Sequence, residues 1–327
     1  MCSPKSNMYL LGAGFTSIIT CGKSPDMSSL YDKVIGVVPP EILARYKDLN
    51  KDIEKLLTLI EIDINTGSPC IECLRKAREQ VKEKILEVLD FDNIKPETND
   101  AGEAFLGILK KDDVVISLNY DIVLERFLWN EGKGIWSPDT GYTHDIRNDF
   151  YTPTASSQNI NKLNIEIIKP HGSVNFIEGY VDWEKTGNTN ITLEISEKYF
   201  PNIHAELSYM KEFQAGRKIL IPAYIKPEIF HQAIANLWYQ AFERVKNSKN
   251  LFIIGCGLRS ADVFVWWLLY LFIRNKDKKI IILDRNAEAL KESILKMLKI
   301  PEVFVKGQIV TLQKDVSNNF DILKKYI

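Results

Sequence analysis

Met8-Tyr9-Leu10-Leu11-Gly12-Ala13-Gly14-Phe15-Thr16 is the stretch that decides the fold. Its apolar run is too short for a helix and reads as a buried strand. The break at glycine, before a helix-compatible stretch, makes a strand, tight turn, helix unit. The same grammar recurs downstream. Asp113-Val-Val-Ile-Ser117-Leu118 is a second buried strand ending at Asn119-Tyr120-Asp121, after which Ile122, Val123, Phe127 and Leu128 fall on one helical face. A third strand, Ile165-Glu-Ile-Ile-Lys169, runs into Pro170-His171-Gly172-Ser173. An amphipathic helix over 227–245 leads to the strand Leu251-Phe-Ile-Ile254, the turn Gly255-Cys256-Gly257 and a helix through Trp266 and Trp267. Lys279-Ile-Ile-Ile-Leu283 ends in Asp284, and Gly307-Gln-Ile-Val-Thr-Leu312 is the last strand. Strands alternating with helices imply an α/β fold, a Rossmann-like, doubly wound parallel sheet with helices on both faces.

Three stretches depart from this alternation. Residues 25–109 carry helical periodicity, with Ile53, Leu56, Leu57 and Ile60 on one face and Val81, Ile85, Leu86 and Leu89 on another. They read as a mainly helical inserted subdomain within one Rossmann domain made of 1–24 and 110–327. Residues 137–163, rich in Asp, Asn, Ser, Thr and Pro, read as a long loop. Between 177 and 218 the pattern is weak and marks a second excursion from the sheet.

Lysine plus arginine (42) nearly cancels aspartate plus glutamate (43), so composition supplies no field to draw the molecule onto nucleic acid or an anionic membrane. No direct nucleic-acid binding is expected. Met1–Asn7 lacks the basic and apolar segments of a secretory signal, and the most apolar window, Val263–Ile273, is about half the ~20 residues that span a bilayer. A cytoplasmic location and a buried helix are the expectations. Five cysteines do not make a disulfide framework in a chain of 327 residues. Cys70-x-x-Cys73 is read as two unmetallated thiols, because a structural zinc takes four ligands and no second pair lies at useful spacing. No metal is expected.

Every polar cluster above falls at the carboxyl end of a strand, where doubly wound sheets bind ligands, so one shared site is expected. Gly12 and Gly14 would let the backbone approach a pyrophosphate while helix amides face its charge, although Ser17 stands where G-x-G-x-x-G needs a third glycine. The alternative is a glycine turn that only packs strand against helix. Gly255 and Gly257 repeat the pattern, with Ser260 or Asp262 as a candidate N-cap. Asp284 could receive a ribose hydroxyl or sit in a surface turn. Asn119 and Asp121 could be caps of the helix that follows. His171 places a titratable imidazole beside a glycine, and it is either functional or a satisfied core histidine.

Taken together, Gly12-Ala13-Gly14-Phe15-Thr16, Ser117-Leu118-Asn119-Tyr120-Asp121, Lys169-Pro170-His171-Gly172-Ser173 and Ile254-Gly255-Cys256-Gly257-Leu258 with Asp262 resemble the sirtuin-like family in order and spacing. The resemblance runs over nearly the whole chain. It looks closest to the bacterial branch found in antiphage defence, whose members hydrolyse NAD, rather than to the protein deacylases. It implies NAD as substrate, with Gly12, Ala13, Gly14, Phe15 and Thr16 on the pyrophosphate side and Ser117 nearby. Asn119 would hold the water or ribose hydroxyl near the anomeric carbon, and Asp121 would order the nicotinamide side. His171 would be the general base or ribose partner, while Gly255, Gly257, Leu258 and Asp284 would hold the adenosine half. Leu118 stands where the deacylases carry Gln, and residues 172–255 contain none of the cysteines of their zinc module. These departures weaken deacylation and leave NAD cleavage.

Two functions therefore stand as expectations. One is an NAD glycohydrolase releasing nicotinamide and ADP-ribose, an effector held inactive until triggered. The other is a non-catalytic NAD or ADP-ribose binding sensor within a larger assembly. The family implies a homo-oligomer, or a separate defence partner such as a ring-forming ATPase or an Argonaute-like protein.

Overall fold

In chain order the strands are β1 (Ser6–Leu11), β2 (Val114–Ser117), β3 (Glu166–Ile168), β4 (Gly172–Tyr180), β5 (Ile191–Ile195), β6 (Ala215–Ile219), β7 (Ser248–Ile254), β8 (Lys279–Asp284) and β9 (Ile309–Gln313). The helices are α1 (Ala13–Ile19), α2 (Met27–Val34), α3 (Pro40–Leu43), α4 (Ile53–Asn65), α5 (Ile71–Val88), α6 (Asp100–Leu106), α7 (Val123–Glu131), α8 (Gln232–Asn247), α9 (Val263–Ile273) and α10 (Ala287–Leu298). The structure is a computed structural model that describes residues 6–46, 49–90, 93–137, 141–142, 165–180, 191–195, 215–219, 232–260 and 262–327.

Six strands form one sheet in the order β3-β2-β1-β7-β8-β9, and every pairing in it is parallel. Counted among themselves the strands run 3-2-1-4-5-6, the doubly wound Rossmann order. Met8–Leu11, Val114–Ile116, Leu251–Ile254 and Ile280–Leu283 are buried throughout, which explains why they read as unbroken apolar runs. A sheet covered by helices on both faces has no solvent side to demand alternation. The winding reverses between β1 and β7, so a crevice opens beyond the carboxyl ends of these two neighbours.

Between α1 and β2 the chain makes the helical insertion, α2 to α6. Asp52 caps α4 by accepting from the Lys55 amide at 3.0 Å, and Asp26 caps α2 through the Ser29 amide at 2.8 Å. Ile53, Leu56, Leu57 and Ile60 then bury one stripe of α4, at the spacing read from the sequence. Cys70 and Cys73 correct an expectation. They are joined as a disulfide, with their Cα atoms 5.4 Å apart. Cys70 is the N-cap of α5 and Cys73 lies three residues on, so the first helical turn brings the two sulfurs to bonding reach, which an argument from metal-ligand counts does not consider.

The weakly patterned stretch after Ile177 includes parts of a second sheet, antiparallel and in the order β5-β4-β6. Apart from Ser137, Gly141 and Tyr142, the expected loop over 137–163 lies outside the described residues, as does the expected helix start at 227. The apolar helix α9 buries Val265, Leu268, Leu269 and Phe272 but leaves Val263 and Trp267 exposed, so it is not buried all round. Among the described residues no helix is long and apolar enough to cross a membrane.

Candidate functional site

Because β1 and β7 are neighbours, the two glycine turns that follow them touch. The Gly14 amide donates to the Gly255 carbonyl at 2.9 Å. A Cβ on Gly12 would lie 2.7 Å from the Cys256 Cα, and one on Gly255 would lie 2.4 Å from the Phe15 nitrogen. Gly255 also has φ +55°, a left-handed conformation that favours glycine. Gly12, Gly14 and Gly255 are therefore required by the packing of turn against turn. Gly257 differs: nothing lies within 4 Å of a Cβ placed there. Leu258, next to it, is held at φ +45°, a strained conformation for a branched side chain.

Beyond the turns lies a cleft of about 270 Å³. Its walls include Gly12, Ala13 and Gly14 from the first turn and Gly255, Gly257 and Leu258 from the second. Asn119 and Asp121 reach it from the end of β2, and His171 from beyond β3. The helical insertion contributes Met27, Leu30 and Glu54. Four residues singled out in the sequence stand apart from this lining. Phe15 is core, with its ring 4.6 Å from that of Phe105. Asp284 accepts from the Asn286 amide at 2.8 Å. Thr16 and Ser117 are buried behind Asn119.

Thr16 joins two of the candidate residues. The Asn119 side-chain amide donates to its hydroxyl at 2.7 Å, and the hydroxyl in turn hydrogen-bonds the Asp121 carboxylate. A hydroxyl can accept from one group while donating to another, which suits threonine to this link. Asp121 also accepts from the Val123 amide at 3.0 Å, an Asx turn just ahead of the following helix, whose N-cap is Ile122. Burial pushes its carboxyl above the usual range, against the pull of Lys169.

Lys169 is wholly buried beneath the site, where it pairs with Glu125 at 2.7 Å and donates to the Asp121 carbonyl. The Tyr142 hydroxyl donates to Glu125 at 3.2 Å and accepts from the Asn175 amide at 3.1 Å. Burial raises the Glu125 carboxyl and holds the Tyr142 phenol well above its ordinary value. This network anchors the backbone on both sides of the cleft, because Lys169 precedes Pro170-His171 and Asp121 follows Asn119.

The His171 Nε2 lies 3.2 Å from Asp262 Oδ1, and the Tyr120 and Trp238 rings lie 6.2 and 5.8 Å from the imidazole. Cys256 does not supply a nucleophile. Burial pushes its thiol up to about 12, which suppresses the thiolate. The imidazole of His171, the neutral amide of Asn119 and the buried carboxyl of Asp121, all in the lining, are a set suited to positioning a water and taking its proton.

Sequence reading passed over Glu54 and Arg259. Arg259 lies 2.8 Å from Glu54 and 3.9 Å from Asp52, tying the second glycine turn to the start of α4. Glu54 beside the apolar Ile53 looks like any first-turn helix glutamate, and only the tertiary fold buries it. Among the described residues no group of three or more His, Cys, Asp or Glu side chains could hold a metal ion.

Known structures that resemble the chain include a Sir2 homologue–NAD complex, at 15% identity and TM-score 0.44, with 99% of this chain and 90% of that one covered. A Sir2 homologue bound to ADP-ribose matches at 13% identity and TM-score 0.41, covering 99% and 92%. A search of curated proteins returns no match. Residues 113–300 match the family described as the SIR2-like domain. That match takes in more than half of the chain, including β2 with Asn119 and Asp121, His171 and the second glycine turn, and the chain belongs to the SIR2-like domain family.

Proposed function

We propose that this chain cleaves NAD at the nicotinamide–ribose bond, releasing nicotinamide and ADP-ribose. The observation that carries the reading is the meeting of Asn119 and His171 in one cleft beside two glycine turns, at the crevice where a doubly wound sheet binds nucleotides. Breaking that bond builds oxocarbenium character on the ribose, so the site must place a water and accept its proton. In this reading the backbone around Gly12, Ala13, Gly14 and Gly257 approaches the phosphates. Asn119 orients the water or a ribose hydroxyl, Asp121 orders the nicotinamide side, and His171 is the base. NAD is the substrate and no metal takes part. Phe15, Thr16, Ser117 and Asp284 act from behind the lining, Thr16 by fixing Asn119.

The cleft of about 270 Å³ is near the lower end of the ~300–1,000 Å³ usual for small-molecule sites and opens to solvent, so a dinucleotide would extend beyond it. The insertion over 25–109 forms one wall of it and is held to the second turn by Arg259 and Glu54. The motif resemblance to the defence branch extends this proposal to cytoplasmic antiphage defence by NAD depletion, as a homo-oligomer or with a separate partner protein. A second reading, ligand binding without turnover, draws on the engagement of the Asn119 amide by Thr16. Incubating the purified chain with NAD and quantifying nicotinamide separates the two. Stoichiometric release above the Asn119→Ala background supports hydrolysis, and ADP-ribose binding with NAD left intact supports the sensor.

A further inference from the structure

Asp262 occupies the N-cap position of α9 yet makes no side-chain capping hydrogen bond. An aspartate there ordinarily accepts from the second or third amide of the helix. Its carboxylate instead lies 3.2 Å from His171 Nε2, and the two side chains are only 9% and 7% exposed. The pair joins the halves of the fold, His171 arriving after β3 and Asp262 after β7. A neutral imidazole carries one N–H, and a carboxylate can only accept, so the proton belongs on Nε2 and the lone pair on Nδ1. Among the described residues nothing hydrogen-bonds Nδ1.

We propose that Asp262 is a positioning residue that locks His171 in the Nε2–H tautomer, presenting Nδ1 as the proton acceptor of the cleft. The consequence for turnover rests on the hydrolase reading. Water gives its proton to Nδ1, and its oxygen bonds to the anomeric carbon as the C–N bond breaks. The electron pair of that bond goes to the pyridinium nitrogen, so nicotinamide leaves neutral. The imidazolium, stabilised by the adjacent carboxylate, then returns its proton to solvent. A substitution that keeps the shape of the side chain but removes its charge should thus damage the chemical step and spare ligand affinity.

The test is Asp262→Asn in the full chain, since asparagine matches aspartate in shape but carries no charge and can donate as well as accept. Wild-type protein labelled with ¹⁵N-histidine, with His171 assigned by loss of its signals in His171→Gln, should show the Nε2–H pattern. Asp262→Asn should lose the exclusive Nε2–H population, keep the melting temperature within a few degrees, and lower kcat about 10²- to 10⁴-fold with little change in KM. Asp262→Ala should fall as far. A wild-type Nδ1–H tautomer, unchanged kcat in Asp262→Asn, or a loss confined to KM would overturn the proposal. If the wild-type chain leaves NAD intact, the hydrolase reading falls, while the His171 tautomer and its response to Asp262→Asn still decide the pairing.

Discussion

Asn119 and His171 are held by different partners, and their substitutions should fail in different ways. Asn119→Ala removes one hydrogen bond to Thr16, worth about 1 kcal/mol, so the protein should fold and melt almost as the parent does while nicotinamide release disappears. Parental turnover in that variant would remove Asn119 from the reaction. His171→Ala should lower turnover about 10²- to 10⁴-fold and leave ADP-ribose affinity intact by calorimetry, because in the proposed reading the phosphates are held at the glycine turns. Thr16 marks the limit of legibility at this scale. The resemblance sets it on the pyrophosphate side with the two glycines, but its position behind Asn119 depends on β1 and β2 being adjacent. Thr16→Val keeps the shape, removes both hydrogen bonds, and should slow turnover by loosening Asn119. A parental rate would show the link to be idle.

At the scale of elements, the glycines of the two turns look alike in sequence and do different work. Gly12→Ala would drive a Cβ to within 2.7 Å of the Cys256 backbone, an overpacking that costs about 1–3 kcal/mol, and should lower the melting temperature. Gly257→Ala meets open space. It should melt as the parent does and, if the ligand backbone passes there, weaken ADP-ribose binding; the opposite ranking of the two melts would reverse their assignment. The strand-turn-helix units were readable because an apolar run, a glycine break and a change of period are all local signals. The contact between the turns was not, since it exists only after β1 and β7 pair. Cys70 and Cys73 show a local misreading of another kind. Three-residue spacing at a helix start carries its own meaning, independent of metal ligation.

The whole molecule separates stability from chemistry along the strands. The cleft lies at the carboxyl ends, while Asp113 at the opposite edge of β2 fastens the sheet by accepting from the Asn7 amide at 2.8 Å, the Lys110 amide at 2.9 Å and the Tyr9 hydroxyl at 3.3 Å. That the sheet is parallel and doubly wound could be read from the alternation of elements. The anchoring role of Asp113 could not, because in sequence it is only the polar first residue of an apolar strand. Burial raises its carboxyl from 3.8 to about 6 despite these hydrogen bonds. The folded state therefore holds a proton that the unfolded state releases, and between about pH 4 and 6 it binds more protons than the unfolded chain. Stability from this group is greatest below its unfolded value and is lost as pH rises through about 6. Asp113→Asn cannot titrate, so its unfolding free energy lacks this slope. Lowering the pH from 7 to 5 should shift the difference between parent and variant in the parent's favour by about 1 kcal/mol in urea titrations, at ~1.4 kcal/mol per unit below the folded-state value. Comparing the two proteins at each pH cancels the titration of the other carboxyls. A difference that stays constant, or moves the other way, would mean that Asp113 is charged and well solvated in the folded protein.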